Sequence, residues 1–275
     1  MSVDYNEDNL VEQAAVDIFK SIGWNVEKAW KDEVFGNKGS FGRENKSEIV
    51  LSKYLILALR KLNPELPEKV YLEAVQKFLE KHAAKKIEKV NKEQYEKLKS
   101  GIKVDYINDD GDLVSVNLKI FDFENPENNH FLVVRQFEVQ GELYLRRPDL
   151  VGFVNGIPLV FLELKSIHRD LRHAYEDNLK DYKDTIKNLF INNALIILSN
   201  GLQSKIGTIT SSYKFFHEWK KINEEDKPNI NLVTMIKGTC DKKNFFDLFE
   251  NFIAFEDAGG EIIKVLAKNH QYLGV

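Results

Sequence analysis

Residues 146–166 read RRPDLVGFVNGIPLVFLELKS. Two apolar runs meet at Asn155-Gly156, the dipeptide that most strongly marks a tight β-hairpin. Charge is confined to the outer ends: Asp149 on the first strand, Glu163 and Lys165 on the second. Strand side chains alternate between faces, so Glu163 and Lys165 share one side while Leu162 and Leu164 share the other. Val160 continues the apolar side and Phe161 begins the acid's own side, so neither face of the second strand reads as plain solvent surface.

Register decides whether Asp149 joins the other two. A strict two-residue turn pairs Asp149 with Leu162 and sends it to the wrong face. An odd-length correction repairs this: either a three-residue connection with Gly156 in a left-handed bulge, or a local bulge elsewhere, at Gly152, sets Asp149 opposite Glu163. Two carboxylates that close repel, and the remedies are a shared proton or a divalent cation. With a lysine beside them the cation is favoured. Mg²⁺ takes a few hard oxygens plus water and substrate phosphate, which Asp149, Glu163 and the Leu164 carbonyl can supply, with Lys165 left to orient water or to meet developing negative charge. The plainer alternative is a surface hairpin whose Glu163 and Lys165 form a salt bridge of little worth.

Outward from this hairpin the apolar period changes. YNEDNLVEQAAVDIFKSIGW places Leu10, Val11, Ala14, Ala15, Ile18 and Phe19 at helical spacing and stops at Gly23. A glycine-rich charged loop, FGNKGSFGRENKS, follows. A second helix is predicted through Ile49, Leu51, Tyr54, Leu55, Ala58 and Leu62, closed by Asn63-Pro64, and a third in EKVYLEAVQKFLEKHAAKKIEK, trailing into a charged segment to about Ser100. From Lys103 to the hairpin the pattern alternates, predicting a strand meander. After Ser166 it is helical again through Ala174, Tyr175, Leu179, Tyr182, Ile186 and Leu189. NNALIILSNG and SKIGTITSS then read as strands, and KNFFDLFENFIAFED as a helix before a Gly259-Gly260 break. This order predicts an α/β fold with a mixed sheet flanked by helices and additional N-terminal helices.

Composition narrows the partners. The 275-residue chain is 43% hydrophobic, with one cysteine and a net charge of −4. That excludes a disulfide framework and a zinc cluster, and no apolar stretch reads as a signal or a membrane span. A cytoplasmic protein with no membrane partner is expected. The acidic balance argues against nucleic-acid binding through the overall field, so any such contact is local. Candidate basic clusters are Lys28, Lys31, Lys38, Arg43 and Lys46; Arg146 with Arg147; and Lys165, Arg169 and Arg172. Histidines 82, 130, 168, 173, 217 and 270 are scattered, and no acyl-transfer motif appears.

The run DFENPENNHFLVVRQFEVQGELYLRRPDLVGFVNGIPLVFLELKS resembles the nuclease domain of the restriction (R) subunit of type I restriction-modification enzymes, in the PD-(D/E)xK nuclease superfamily. YNEDNLVEQAAVDIFKSIGW and LRKLNPELP look like the family's first two helical regions, NALIILSNG and KIGT like its strand and turn after the catalytic helix. The resemblance implies a restriction-endonuclease-like fold and a type I site-specific deoxyribonuclease acting on unmodified duplex DNA in a translocation-coupled complex. It implies Mg²⁺ at Asp149, Glu163 and the Leu164 carbonyl, and Lys165 as the catalytic lysine. Glu12 matches an acidic residue on the first helix, able to complete the metal shell through a water or to serve only as a favourable charge near the helix start. Glu44 and Glu48 are weaker candidates for that role.

Arg146 and Arg147 are placed to meet DNA phosphate. The family's Gln-x-x-x-Tyr pair falls on Asn178 and Tyr182, one turn apart. Asparagine shortens the amide's reach, and Tyr182 also fits a core position at its helical spacing. The tail NHQYLGV resembles the start of the motor that follows the nuclease, with Gln271 at a position that reads adenine. ATP is therefore expected only in a longer subunit, since no Walker A loop is present. The implied layout is a nuclease domain over 1–260, then a linker and the start of a helicase-like motor over 261–275. Implied partners are duplex DNA and the specificity and methyltransferase subunits of the complex. The rival reading is a catalytically silent DNA-binding or docking module with the same fold.

Overall fold

The computed structural model describes residues 7–80 and 85–275. In chain order its elements begin with α1 (Glu7–Ser21), β1 (Asn25–Lys28), α2 (Ser52–Leu62), α3 (Glu68–Leu79) and α4 (Ile87–Ser100). Strands β2 (Ile102–Ile107), β3 (Leu113–Leu118), β4 (Phe131–Arg135), β5 (Val139–Gln140), β6 (Leu145–Arg146), β7 (Leu150–Val154) and β8 (Ile157–Leu164) come next. A helical rod follows, built from α5 (Leu171–His173), a π-helical turn (Ala174–Leu179) and α6 (Lys180–Thr185). The remainder is β9 (Leu195–Ser199), β10 (Ser204–Gly207), α7 (Leu232–Cys240), α8 (Lys242–Asn251), β11 (Ile253–Ala258), β12 (Glu261–Leu266) and α9 (Asn269–Leu273).

A six-stranded sheet runs in the order β1-β4-β7-β8-β9-β10. It is mixed: β1 with β4 and β8 with β9 are parallel, and the other pairs are antiparallel. Helices flank it, giving the α/β restriction-endonuclease-like arrangement that the resemblance implied. The parallel β8–β9 pair requires a crossover, and the α5–α6 rod supplies it. Every residue of β7 and β8 is buried, as expected for central strands covered on both faces.

The Asn155-Gly156 connection has two residues, not three. Both carry positive φ, 50° and 81°, as a type I′ turn demands. Val154 pairs with Ile157 and Phe153 with Pro158, and then the register shifts: Gly152 pairs with Val160, Val151 with Phe161 and Leu150 with Leu162. The extra residue is Leu159, a bulge beside Gly152. Continuing that register sets Asp149 opposite Glu163.

Other expectations change on contact with tertiary structure. The third helix is two, α3 and α4, and the charged segment up to Ser100 is itself helical. His82 lies outside the described residues. The first helix buries Val11, Glu12, Ala15, Val16, Ile18 and Phe19, while Leu10 and Ala14 face outward. The β2–β3 hairpin forms its own ribbon and not part of a continuous meander. The helix expected over 243–257 ends at Asn251, and Gly259-Gly260 turns the β11–β12 hairpin.

Residues 261–275, expected as a linker and the start of a helicase-like motor, form β12 and α9, with Leu266 and Lys264 buried and Tyr272 packed on Trp219 and Phe252. Arg43 is no surface cation either. It is fully buried, forks onto Glu33, donates to the Glu48 and Glu138 carbonyls and lies 4.0 Å from the Phe137 ring centre. That set of contacts fastens the glycine-rich loop to the chain leaving β4. No helix among the described residues is long and apolar enough to cross a membrane.

Candidate active site

One end of the sheet collects the C-terminal ends of β1, β4, β8 and β9 and the start of β7. Asp149, just before β7, is stitched on both sides. Its Oδ2 accepts from the Leu164 N–H at 2.8 Å, and its carbonyl accepts from the Gln136 N–H at 2.8 Å. Glu163 is only 2% exposed, and its Oε1 accepts from Lys165 Nζ at 2.9 Å. The Lys165 side chain is 14% exposed, and its backbone N–H donates to the Ser199 carbonyl at 2.9 Å. An acid pair and an amine, brought together by the Leu159 bulge, therefore sit at a largely dry strand end.

The rod covers the same face. The Tyr182 ring packs edge-on against Phe161, two residues before Glu163, at 5.9 Å between centroids. Burial first, and then the charges of Glu163 and Asp149, push the Tyr182 hydroxyl well above its ordinary range, while a hydrogen bond with Asn178 opposes the rise. Tyr182 is thus a core side chain and a site side chain together: its ring is buried and its hydroxyl feels the charge of both carboxylates. Asn178 reaches it from the π-helical turn, a local widening of the helix that recurs at functional sites.

The two arginines part. Arg146 forks onto Asp181 of α6, at 2.5 and 2.9 Å, and this bond lowers the Asp181 pKa and raises that of Arg146. Arg147 lies over Trp30 instead, 4.0 Å from the ring centre. Glu12, 5% exposed, accepts from Arg135 Nε at 2.8 Å and from Gln136 Nε2 at 2.7 Å. It is joined to the site through Gln136, whose N–H holds the Asp149 carbonyl and whose φ of 52° is left-handed.

Glu44 and Glu48 are exposed, the Glu44 N–H donating to Glu48 in the loop that Arg43 anchors. His173 pairs with Asp177 on the exposed side of the rod. Gln271 accepts from the Lys268 N–H at 2.8 Å and caps its own short helix. Sequence reasoning missed Arg135, Gln136, Asp181 and Trp30. Only Trp30 left a local signal, an aromatic between the lysines of K-A-W-K.

Among the described residues no three His, Cys, Asp or Glu side chains converge as a metal cage. Two carboxylates do not suit zinc, which takes three or four side-chain ligands, mostly histidine and cysteine. They do suit Mg²⁺, which needs one or two carboxylates and leaves its other positions to water and phosphate. The Leu164 N–H points to Asp149, and a strand residue's carbonyl faces the same edge as its N–H, so this oxygen is on the carboxylate side.

A family model described as "Type I restriction enzyme R protein N terminus" matches residues 4–249. The chain is 32% identical over 278 residues to the type I restriction enzyme HindI endonuclease subunit of Haemophilus influenzae, covering 98% of this chain and 26% of that protein. It is 30% identical over 125 residues to the type I restriction enzyme EcoprrI endonuclease subunit of Escherichia coli, covering 42% of this chain and 39% of that protein. The chain thus spans about a quarter of the length of the first of these curated relatives.

Proposed function

Because the chain belongs to the family of type I restriction enzyme R protein N-terminal domains, we propose that it is a Mg²⁺-dependent endonuclease domain hydrolysing phosphodiester bonds of unmodified duplex DNA. The observation that carries this reading is the bulge at Leu159, which sets Asp149 opposite Glu163 with Lys165 on Glu163. A bulge beside a strand end is a device for re-aiming a side chain.

Asp149, Glu163 and the Leu164 carbonyl would hold the ion. When bound it would supply positive charge against the scissile phosphate and acidify a water. Lys165, held against Glu163, is positioned to orient the attacking water and to stabilise charge that develops on phosphate oxygen. Tyr182, kept protonated by its burial and its acidic neighbours, is a hydrogen-bond donor beside the carboxylates, and Asn178 fixes its direction. Glu12 acts through Gln136 as a strut for Asp149.

The chain is one part of a longer subunit in this reading. ATP-driven translocation by the rest of that subunit delivers DNA to the site, and specificity and methyltransferase subunits select it, in the cytoplasm. Asp149→Ala and Lys165→Ala in the assembled enzyme are expected to abolish cleavage while DNA binding and ATP hydrolysis persist. Cleavage at the parent rate by either variant would instead leave a silent docking module.

A further inference from the structure

Arg146 and Arg147 are adjacent in sequence and face different partners. Arg146 is neutralised by Asp181. Arg147 is exposed and lays its guanidinium on Trp30, and the same ring carries Lys31 Nζ at 4.3 Å and Lys28 Nζ at 5.9 Å from its centre. Lys28 pairs with Asp32 at 3.5 Å, both well exposed. Among the described residues no salt bridge is formed by Lys31 or Arg147. Three cations are therefore gathered on one indole in a chain whose net charge is −4.

Like charges gathered this way repel, and the ring's negative face offsets only part of that. An anion placed among them removes the conflict. Lys31 also holds a left-handed φ of 65°, a conformation that non-glycine residues keep only where their surroundings impose it and that clusters at ligand clamps. The location is specific. β1 pairs with β4 and β4 with β7, so Trp30 follows the strand two places from β7, and Arg147 reaches it from two residues before Asp149.

We propose that Lys28, Lys31 and Arg147, organised by Trp30, seat backbone phosphates of a DNA duplex on the β1 side of the carboxylates. This rests on the nuclease reading and adds a direction to it: the strand being cut continues over β1, away from the Arg146–Asp181 pair on α6. A guanidinium fork matches phosphate oxygens, and packing on the indole removes side-chain freedom that binding would otherwise have to remove. The contact reads no sequence, as befits phosphate recognition.

The test is the salt dependence of binding of this 275-residue chain to a labelled DNA duplex, followed by fluorescence anisotropy with Ca²⁺ in place of Mg²⁺. Each phosphate contact adds about 0.9 to the slope of log affinity against log salt, so the double variant Lys31→Gln, Arg147→Gln is expected to lower that slope by about 2 and to weaken binding at about 50 mM salt on the order of 100-fold. Both residues are exposed, so folding is retained, as circular dichroism will check. Lys89→Gln, an exposed lysine on α4, is expected to change neither quantity. An unchanged slope in the double variant, or no salt-dependent binding by the parent chain, overturns the proposal. Asp149→Ala separates the two readings: if it loses cleavage while the double variant binds as the parent does, the phosphate seat falls and the nuclease site stands.

Discussion

The two ends of the β7–β8 hairpin both bury polar side chains, and they treat them differently. At the turn, Asn155 is almost wholly buried and its side chain is answered from inside the protein. Nδ2 donates to the Ile120 carbonyl at 2.8 Å and to Asn129 Oδ1 at 2.9 Å, and Oδ1 accepts from the His130 N–H at 2.7 Å. At the open end, Asp149 and Glu163 are brought opposite one another and the Lys165 amine donates to Glu163. Buried amides that pair with backbone lock a turn, whereas buried like charges store a conflict that an added cation can resolve. In the proposed reading, one end serves stability and the other chemistry.

That contrast can be broken experimentally, and the largest effect is expected at the open end. Glu163→Gln is expected to lower Mg²⁺-dependent cleavage by about 1000-fold, since several kcal/mol of charge stabilisation are lost at about 1.4 kcal/mol per factor of ten. Its stability should change by only about 1 kcal/mol, because repulsion from Asp149 is relieved as the Lys165 bond goes. Cleavage assays and urea melts on the same preparations check both halves.

Asn155→Ala should do the reverse. It strands the His130 N–H and the Ile120 carbonyl and places alanine at a φ of 50°, so a loss of about 3 kcal/mol in unfolding free energy is expected, with cleavage by the folded fraction unchanged. A cleavage defect exceeding the folded-fraction loss would show that the two ends are coupled.

The smallest effect concerns Lys264, which is buried near the turn end, donating to the Asn193 carbonyl at 2.6 Å and to Asn91 Oδ1 at 3.1 Å. Burial lowers its pKa to about 7. Between about 7 and the ordinary lysine range the unfolded chain therefore holds the extra proton, so stability rises with pH across that window and is lost as pH falls toward 7. Lys264→Met is expected to remove roughly 2 kcal/mol of the rise between pH 7 and pH 9. Urea unfolding at the two pH values measures it, and an undiminished rise in the variant would assign the effect to another group.

How far the sequence could be read depended on whether a feature leaves a local period. β7 and β8 do, because central strands are continuous apolar runs, and the need for an odd-residue correction followed from counting back from Asn155-Gly156. β1 does not: Asn25–Lys28 is a short edge strand with mostly exposed side chains, and an exposed edge needs no apolar alternation. β11 and β12 escaped for the same reason, since most of their side chains are exposed and their pairing depends on two glycines in left-handed conformation. In α1 the period was visible but its phase was not. Leu10 and Ala14 extended the apolar stripe on paper, while the protein turns Glu12 inward because Arg135 and Gln136, far away in sequence, wait there to bind it.

By itself the sequence determined the alternating faces of the hairpin, the residue types at its open end and the fold class, all of which follow from backbone periodicity and from a family resemblance carried by contiguous residues. Tertiary structure decided the rest: that the correction is a bulge at Leu159 and not a longer turn, that Arg146 is consumed by Asp181 while Arg147 joins Trp30, and that Gln136 links Glu12 to Asp149. A period fixes which way a side chain points within its own element. Which partner it meets depends on where separate elements are stacked, and that is set by packing across the whole chain.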